Sequence, residues 1–266
     1  MNFPRPPFGT LDKRVLKFIM DAMKERDRRI LERSVEEFIR TGRPVSSDWL
    51  YERYDFGIKP AAIRMILSDL TSGGWLVQPH VSGGRVPSDR AYAFFAERIL
   101  GDAASAGFFA DGERIGDLAD DLLKGERELF VSLLSRQMKS LGALCVAEKE
   151  EIFKKGLDEL IESVDFPERG DLREIISDFE NLSERMKKLA GRLTDDFPAP
   201  RVFIGKNFLT RSAQLAAIVD VCIVGGERNV IAVVGSKKMD YKKNIKSLMG
   251  IKRRISLKTK INGKRR

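Results

Sequence analysis

Histidine and cysteine are nearly absent from this chain. His80 is its only imidazole, and Cys145 and Cys222 are its only thiols. Two cysteines exclude a disulfide scaffold and a thiolate zinc site. One histidine leaves a Ser-His-Asp triad or a histidine-rich metal centre a single ring to build on, which weakens most hydrolase and metalloenzyme classes. Long hydrophobic runs are missing too. No apolar stretch approaches the ~18 residues of a membrane span, and the opening MNFPRPPFGT lacks the apolar core of a secretory signal. The chain is therefore read as cytoplasmic, with no membrane partner. There is no Gly-rich phosphate loop of the Walker type, since Gly225-Gly226 reads as a hairpin turn. The expectation is a protein that is not an enzyme and carries no cofactor or metal.

What is present is ample apolar material and a strong charge asymmetry. Hydrophobic residues are 42% of the 266, enough for two compact domains with a helical spacer. The net charge is +4 over residues 1–100, −9 over 101–200 and +14 over 201–266. Basic ends around an acidic middle suit a protein whose ends meet a polyanion, or whose middle meets its own end.

Along the chain, Thr10 can cap a first helix with Leu11, Val15, Phe18, Ile19 and Ala22 on one face. Asp27 is a plausible cap for a second, whose apolar face is Ile30, Leu31, Val35, Phe38 and Ile39 and whose end is Thr41-Gly42. Ser46 or Ser47 caps a short helix to about Tyr54. Pro60 opens another in the first turn, where proline is welcome, and Ile63, Ile66, Leu67 and Leu70 form its inner face. Trp75–Gln78 and Arg85-Val86 then read as a short hairpin, and Ser88 caps a helix carrying Tyr92, Phe94, Phe95 and Ile99. Three helices followed by a two-stranded hairpin is the order of a winged helix-turn-helix, over residues 1–100.

Residues 101–112 read as a linker or hinge. Two amphipathic stretches, Ile115–Leu141 and Leu172–Leu193, can pair across a dimer axis, pack onto the chain's own core, or share both roles, and 101–197 is read as a helical linker and dimerisation region. Strand periodicity returns at Val202–Gly205, Leu215–Val224 and Val230–Val234, followed by a basic helix from Asp240 to about Ile255. Residues 198–257 are thus a small αβ segment, and 258–266 a frayed cationic tail. The fold class is α+β.

The segment Pro44–Glu97 resembles the N-terminal domain of the heat-inducible transcription repressor HrcA family. The family's hairpin pattern, roughly Q-P-H-T-S-x-G-R-V-P-[ST]-[DE]-[KR], is met by Gln78, Pro79, His80, Ser82, Gly84, Arg85, Val86, Pro87, Ser88, Asp89 and Arg90. Val233–Tyr241 looks like the family's G-P-x-R-M-D-Y segment, and Leu157–Leu182 resembles its helical connector. The blocks occur in family order and cover about half of the chain. The resemblance implies a reduced GAF-like C-terminal domain, a homodimer, an inverted-repeat DNA operator, repression of chaperone genes that heat releases, and support by the GroE chaperonin. The chain departs from the family at Lys59, where a capping serine is lost. Met65 replaces an asparagine suited to adenine. Between Leu144 and Leu157 there is little room for the strands of a GAF-like domain.

The candidate DNA-contacting set is Ser46, Ser47, Lys59, Ala61, Ala62, Arg64, Met65, Ser68, His80, Ser82, Gly84, Arg85 and Arg90. Arg64 can fork onto guanine or hold a phosphate, or sit in a surface ion pair with Asp69 or an acidic neighbour. Ala61 and Ala62 permit close approach to the groove. Ser82-Gly83-Gly84 permits tight backbone approach at the wing, and Arg85 can reach phosphate or the minor groove. His80 is more simply a residue that fixes the turn. Arg90, in the first turn of its helix, is a phosphate candidate. The C-terminal cations, Lys237 to Arg254, fit DNA flanks or the acidic middle segment. A ligand-sensing regulator and a non-sequence-specific nucleic-acid binder remain as rival readings.

Overall fold

The computed structural model describes residues 23–80, 83–106, 112–164, 169–193 and 199–263. The helix read from Thr10, Ser82 of the hairpin and the last three residues of the tail lie outside them. The chain divides between Glu97 and Arg98 into two units.

The first unit opens with α1 (Glu25–Thr41), α2 (Ser47–Arg53) and α3 (Pro60–Ser72). Ile30, Leu31 and Val35 of α1, Leu50 of α2, and Ile63 and Leu67 of α3 are fully buried together with Leu76, each contributing about 1.5–3 kcal/mol. α1 starts two residues before Asp27. Glu25 and Asp27 both fall in its first turn, where negative charge complements the helix dipole, and Lys24 stands at the cap. Ser46 caps α2, its hydroxyl accepting from the Trp49 amide at 3.2 Å. Proline is the first residue of α3, and Lys59 before it supplies no side-chain cap.

The hairpin is shorter than its sequence suggested: β1 (Leu76–Val77) pairs with β2 (Val86–Pro87). Val45, just ahead of α2, adds a bridge to Arg85 through two amide–carbonyl bonds of 2.8 Å. Ser88 caps α4 (Asp89–Ala106) through the Ala91 amide. This helix continues through residues 101–106, so that half of the expected hinge is helical.

The second unit contains α5 (Glu113–Lys124), α6 (Arg127–Met138), β3 (Leu141–Val146), β4 (Glu151–Lys155), α7 (Leu157–Ser163), α8 (Arg169–Ala190), β5 (Arg201–Ile204), β6 (Leu215–Val224), β7 (Glu227–Ser236) and α9 (Tyr241–Gly263). The first amphipathic stretch forms two helices, and its last residue, Leu141, opens β3. Gly125 sits at φ 83°, a left-handed conformation that ends α5 and that side chains resist. The strands form one antiparallel sheet in the order β4-β3-β7-β6-β5.

Two strands of that sheet correct the sequence reading. The chain between Leu144 and Leu157 does hold sheet structure, because a four-residue turn suffices to join β3 to β4. β3 is buried along its whole length, which hides the alternation by which a strand is usually recognised. α9 also runs on through the segment read as a frayed tail, as far as Gly263. Helices α6 and α7 pack on β3, and α9 packs on β6 and along α5.

Candidate nucleic-acid interface

The α3 helix divides into two faces. Ile63, Leu67 and Leu70 are buried. Ala61, Arg64, Met65 and Ser68, spaced at i, i+3, i+4 and i+7, are exposed in one stripe, with Lys59 exposed just ahead of it and Ala62 half-buried at its side. Met65 is 69% exposed. Arg64 does form a surface ion pair, and the acidic neighbour is Asp48 of α2. The 3.8 Å contact joins two largely exposed side chains, a weak link that a phosphate can replace.

What holds this stripe in place is a carboxylate that the sequence reading passed over. Glu37 of α1 is buried, and its oxygens accept from Arg40 at 2.6 Å, from the Trp49 indole N–H at 2.9 Å and from the Tyr54 hydroxyl at 2.7 Å. Burial works against its charge. The hydrogen bonds from Arg40, Tyr54 and Trp49 outweigh burial and hold its pKa down at about 2. Arg33 lies over the Tyr54 ring at 5.0 Å, and Arg29 donates to the Asp55 carbonyl. Together these contacts fix both ends of α2 and the turn leading into α3. The signal was present in sequence: Glu37 falls on the same inward stripe as Ile30 and Ser34, and a carboxylate there needs donors.

Three candidate residues are engaged within the fold. Ser47 is only 4% exposed and faces the interior. Arg90 donates to the Gly73 carbonyl at 2.9 Å, and its guanidinium stacks 3.9 Å from the centre of the Trp75 ring. It tethers α4 to the end of α3, where cations satisfy the last carbonyls. At Gly84, a Cβ would lie 2.7 Å from the Pro44 carbonyl group and 2.8 Å from the Val45 carbonyl carbon. The backbone it approaches is its own chain's. Gly84→Ala is expected to break the Val45–Arg85 bridge and destabilise the first unit by about 1–3 kcal/mol, measurable by urea unfolding.

The remaining candidates sit as follows. Ser46 is half-buried with its hydroxyl occupied by the cap. Arg85 is half-buried, its main chain bound to Val45. His80 is exposed, and its main-chain carbonyl accepts from the Gly83 amide at 2.9 Å, closing the turn.

The C-terminal cations are partly engaged within their own unit. Lys258 pairs with Asp120 of α5, Lys252 lies 2.9 Å from Asp220 of β6, and Lys243 donates to the Gln137 carbonyl. The Arg254 guanidinium lies against Gly116 of α5. Lys258, beyond the Lys237–Arg254 set, thus pairs with an acid of the 101–200 segment, Lys243 and Arg254 lie against uncharged parts of that segment, and Lys252 pairs with an acid outside it. Among the described residues no cluster of side chains fits a metal ion, and no helix is long and apolar enough to cross a membrane.

Residues 109–245, just over half of the chain, match the family described as HrcA protein C terminal domain. The heat-inducible transcription repressor HrcA of Anaeromyxobacter sp. (strain K) is 35% identical over 119 residues, 42% of this chain and 33% of the relative. That of Thermodesulfovibrio yellowstonii is 33% identical over 127 residues, 48% of this chain and 35% of the relative. The matched stretch thus spans about a third of the length of these relatives. A solved structure described as a hypothetical protein at 2.2 Å resolution has a similar fold, with a TM-score of 0.69 at 16% identity over 88% of this chain and 98% of that one. On the match to residues 109–245, this chain belongs to the HrcA family.

Proposed function

We propose that the protein is a sequence-specific transcriptional repressor, with α1 to β2 acting as a winged helix-turn-helix, α3 as the reading helix and β1–β2 as the wing. The observation that carries this is the exposed stripe Ala61–Arg64–Met65–Ser68. It leaves the N-terminal half of α3 exposed on its outer side, the position with which such helices enter a major groove. Binding to DNA needs no bond-making chemistry, so the role is not enzymatic.

A homodimer would place two such helices on the halves of an inverted repeat, because two-fold symmetry in the protein demands it in the site. The relatives' name, heat-inducible transcription repressor, extends the proposal to stress-response genes and to release on warming. A dimer of marginal stability loses operator affinity steeply as it dissociates or unfolds. Selection of bound sequences from a random duplex pool is the test. An inverted repeat is the expected outcome, and failure to enrich any sequence over random duplex at fixed salt would leave only non-specific binding.

Arg64→Ala is expected to weaken binding to the selected site by about 1–3 kcal/mol, in the range of a lost bidentate base contact. Its discrimination against random duplex should fall by a similar factor. An equal loss on both duplexes would make Arg64 a phosphate contact only. A second reading, a regulator whose DNA affinity responds to a small anion, has one observation in its favour. A cavity of about 330 Å³ in the second unit is lined by Lys139, Lys238 and Lys243, outnumbering the one carboxylate of Asp240, with Ser163 and Ser236. Duplex affinity that ignores small anions at constant ionic strength removes it.

A further inference from the structure

We infer that Met65 reads the C5-methyl group of thymine, so that an apolar contact at the centre of α3 selects one base of each half-site. The inference rests on the DNA-reading role proposed above and adds the base chemistry to it.

Met65 is the most exposed large hydrophobic side chain among the described residues, 69% against 50% for Tyr51 and Leu257. A lone exposed apolar residue is ordinary on a protein surface. This one occupies the middle of the only α3 face turned away from the core, one turn after Ala61 and beside Arg64. Ala61 adds no bulk, so the helix can approach closely at that turn. Arg64 has its guanidinium beside Asp48 at the edge of the same face, placed for a phosphate or a guanine next to the base that Met65 meets.

The chemistry of the thioether narrows the partner. It donates no hydrogen bond and accepts only weakly, so it has nothing to offer the paired donor and acceptor of adenine or the two acceptors of guanine. Of the four base edges in the major groove, only thymine presents an apolar group, its C5-methyl. A flexible, polarisable side chain adapts to that methyl without demanding one geometry. The ligand class is therefore a 5-methylpyrimidine. 5-Methylcytosine carries its methyl on the same ring carbon and is accepted in part.

The test uses the full chain and the site recovered from a random duplex pool, with each thymine replaced singly by deoxyuridine. One position per half-site is expected to lose about three- to fivefold in affinity, the value of burying one methyl. Met65→Ala should abolish the thymine-to-uracil ratio at that position, and Met65→Leu should keep most of it. Because Met65 is exposed, both variants should unfold as the parent does, which a urea titration verifies. A ratio below two at every position overturns the inference, as does a ratio unchanged in Met65→Ala, while the repressor reading survives either result. Recovery of no specific site overturns the repressor reading, and this inference with it.

Discussion

Asp178→Ala is expected to destabilise the second unit by about 3–5 kcal/mol, the penalty for breaking a buried ion pair from one side. Asp178 lies on α8 and is 3% exposed. Its carboxylate accepts from the Arg211 amide at 2.8 and 2.9 Å, from the Ser212 amide at 2.8 Å and from the Arg185 guanidinium at 2.6 Å. Arg185 also donates to the Leu209 carbonyl. One side chain thus binds a 22-residue helix to the loop between β5 and β6, satisfying two main-chain donors that have no strand partner. Truncation strands both amides and leaves the Arg185 charge, 14% exposed, without its counterion. Urea unfolding of the full chain reads the loss. Asp178→Asn, which keeps an acceptor but not the charge, should lose less. A loss under 1 kcal/mol for Asp178→Ala would mean that solvent replaces the carboxylate at the loop.

Asp220→Asn should act in the opposite direction and stabilise the protein above pH 6. Asp220 points from β6 under α9 and is 1% exposed. Lys252 Nζ is 2.9 Å from Oδ1, and the Val221 amide donates to the same oxygen at 2.8 Å. Oδ2 is buried with no hydrogen-bond partner among the described residues. Burial pushes the pKa up from 3.8 to about 6 against the pull of Lys252 and the Val221 amide. Between those two values the folded chain keeps a proton that the unfolded chain has released. Stability is therefore fully present below pH 3.8 and falls as pH rises through 6, by up to about 3 kcal/mol.

An amide in place of this carboxylate stays neutral and still accepts from Val221. The expected gain is about 1–3 kcal/mol at pH 8, shrinking towards zero near pH 4. Unfolding titrations at the two pH values measure it. A variant less stable than the parent at pH 8 would show that the Asp220–Lys252 attraction exceeds the cost of burying both charges.

The N-terminal helices were legible because each carries its own punctuation. Gly42 closes α1, Ser46 caps α2 and Pro60 opens α3, local signals that tertiary context left intact. The β3–β4 hairpin was not, because β3 is apolar on both faces and reads like a continuation of the helix before it. The exposed stripe of α3 followed from its period. Which candidate residues the fold would engage did not follow, since that depends on long-range neighbours. Arg90 meets Gly73, Gly84 meets Pro44, and Ser47 turns inward. Glu37, Asp178 and Asp220 share that difficulty: in sequence they look like ordinary surface acids, and only the assembled core reveals the donors around the first two and the burial of the third.

The proposed placement of α3 against DNA can be tested from a single attachment point. The native thiols do not interfere, because burial pushes Cys145 up to about 11 and Cys222 up to about 12, so neither is nucleophilic at neutral pH. Ser68→Cys puts one reactive thiol on the exposed stripe, and a photo-crosslinker attached there should join bases of the selected duplex. The same label on Lys242→Cys, exposed on α9, provides the comparison. Cross-links from position 68 to half-site bases are the expected result. A duplex that is fully bound yet cross-links only from position 242 would contradict the assignment of α3 as the reading helix.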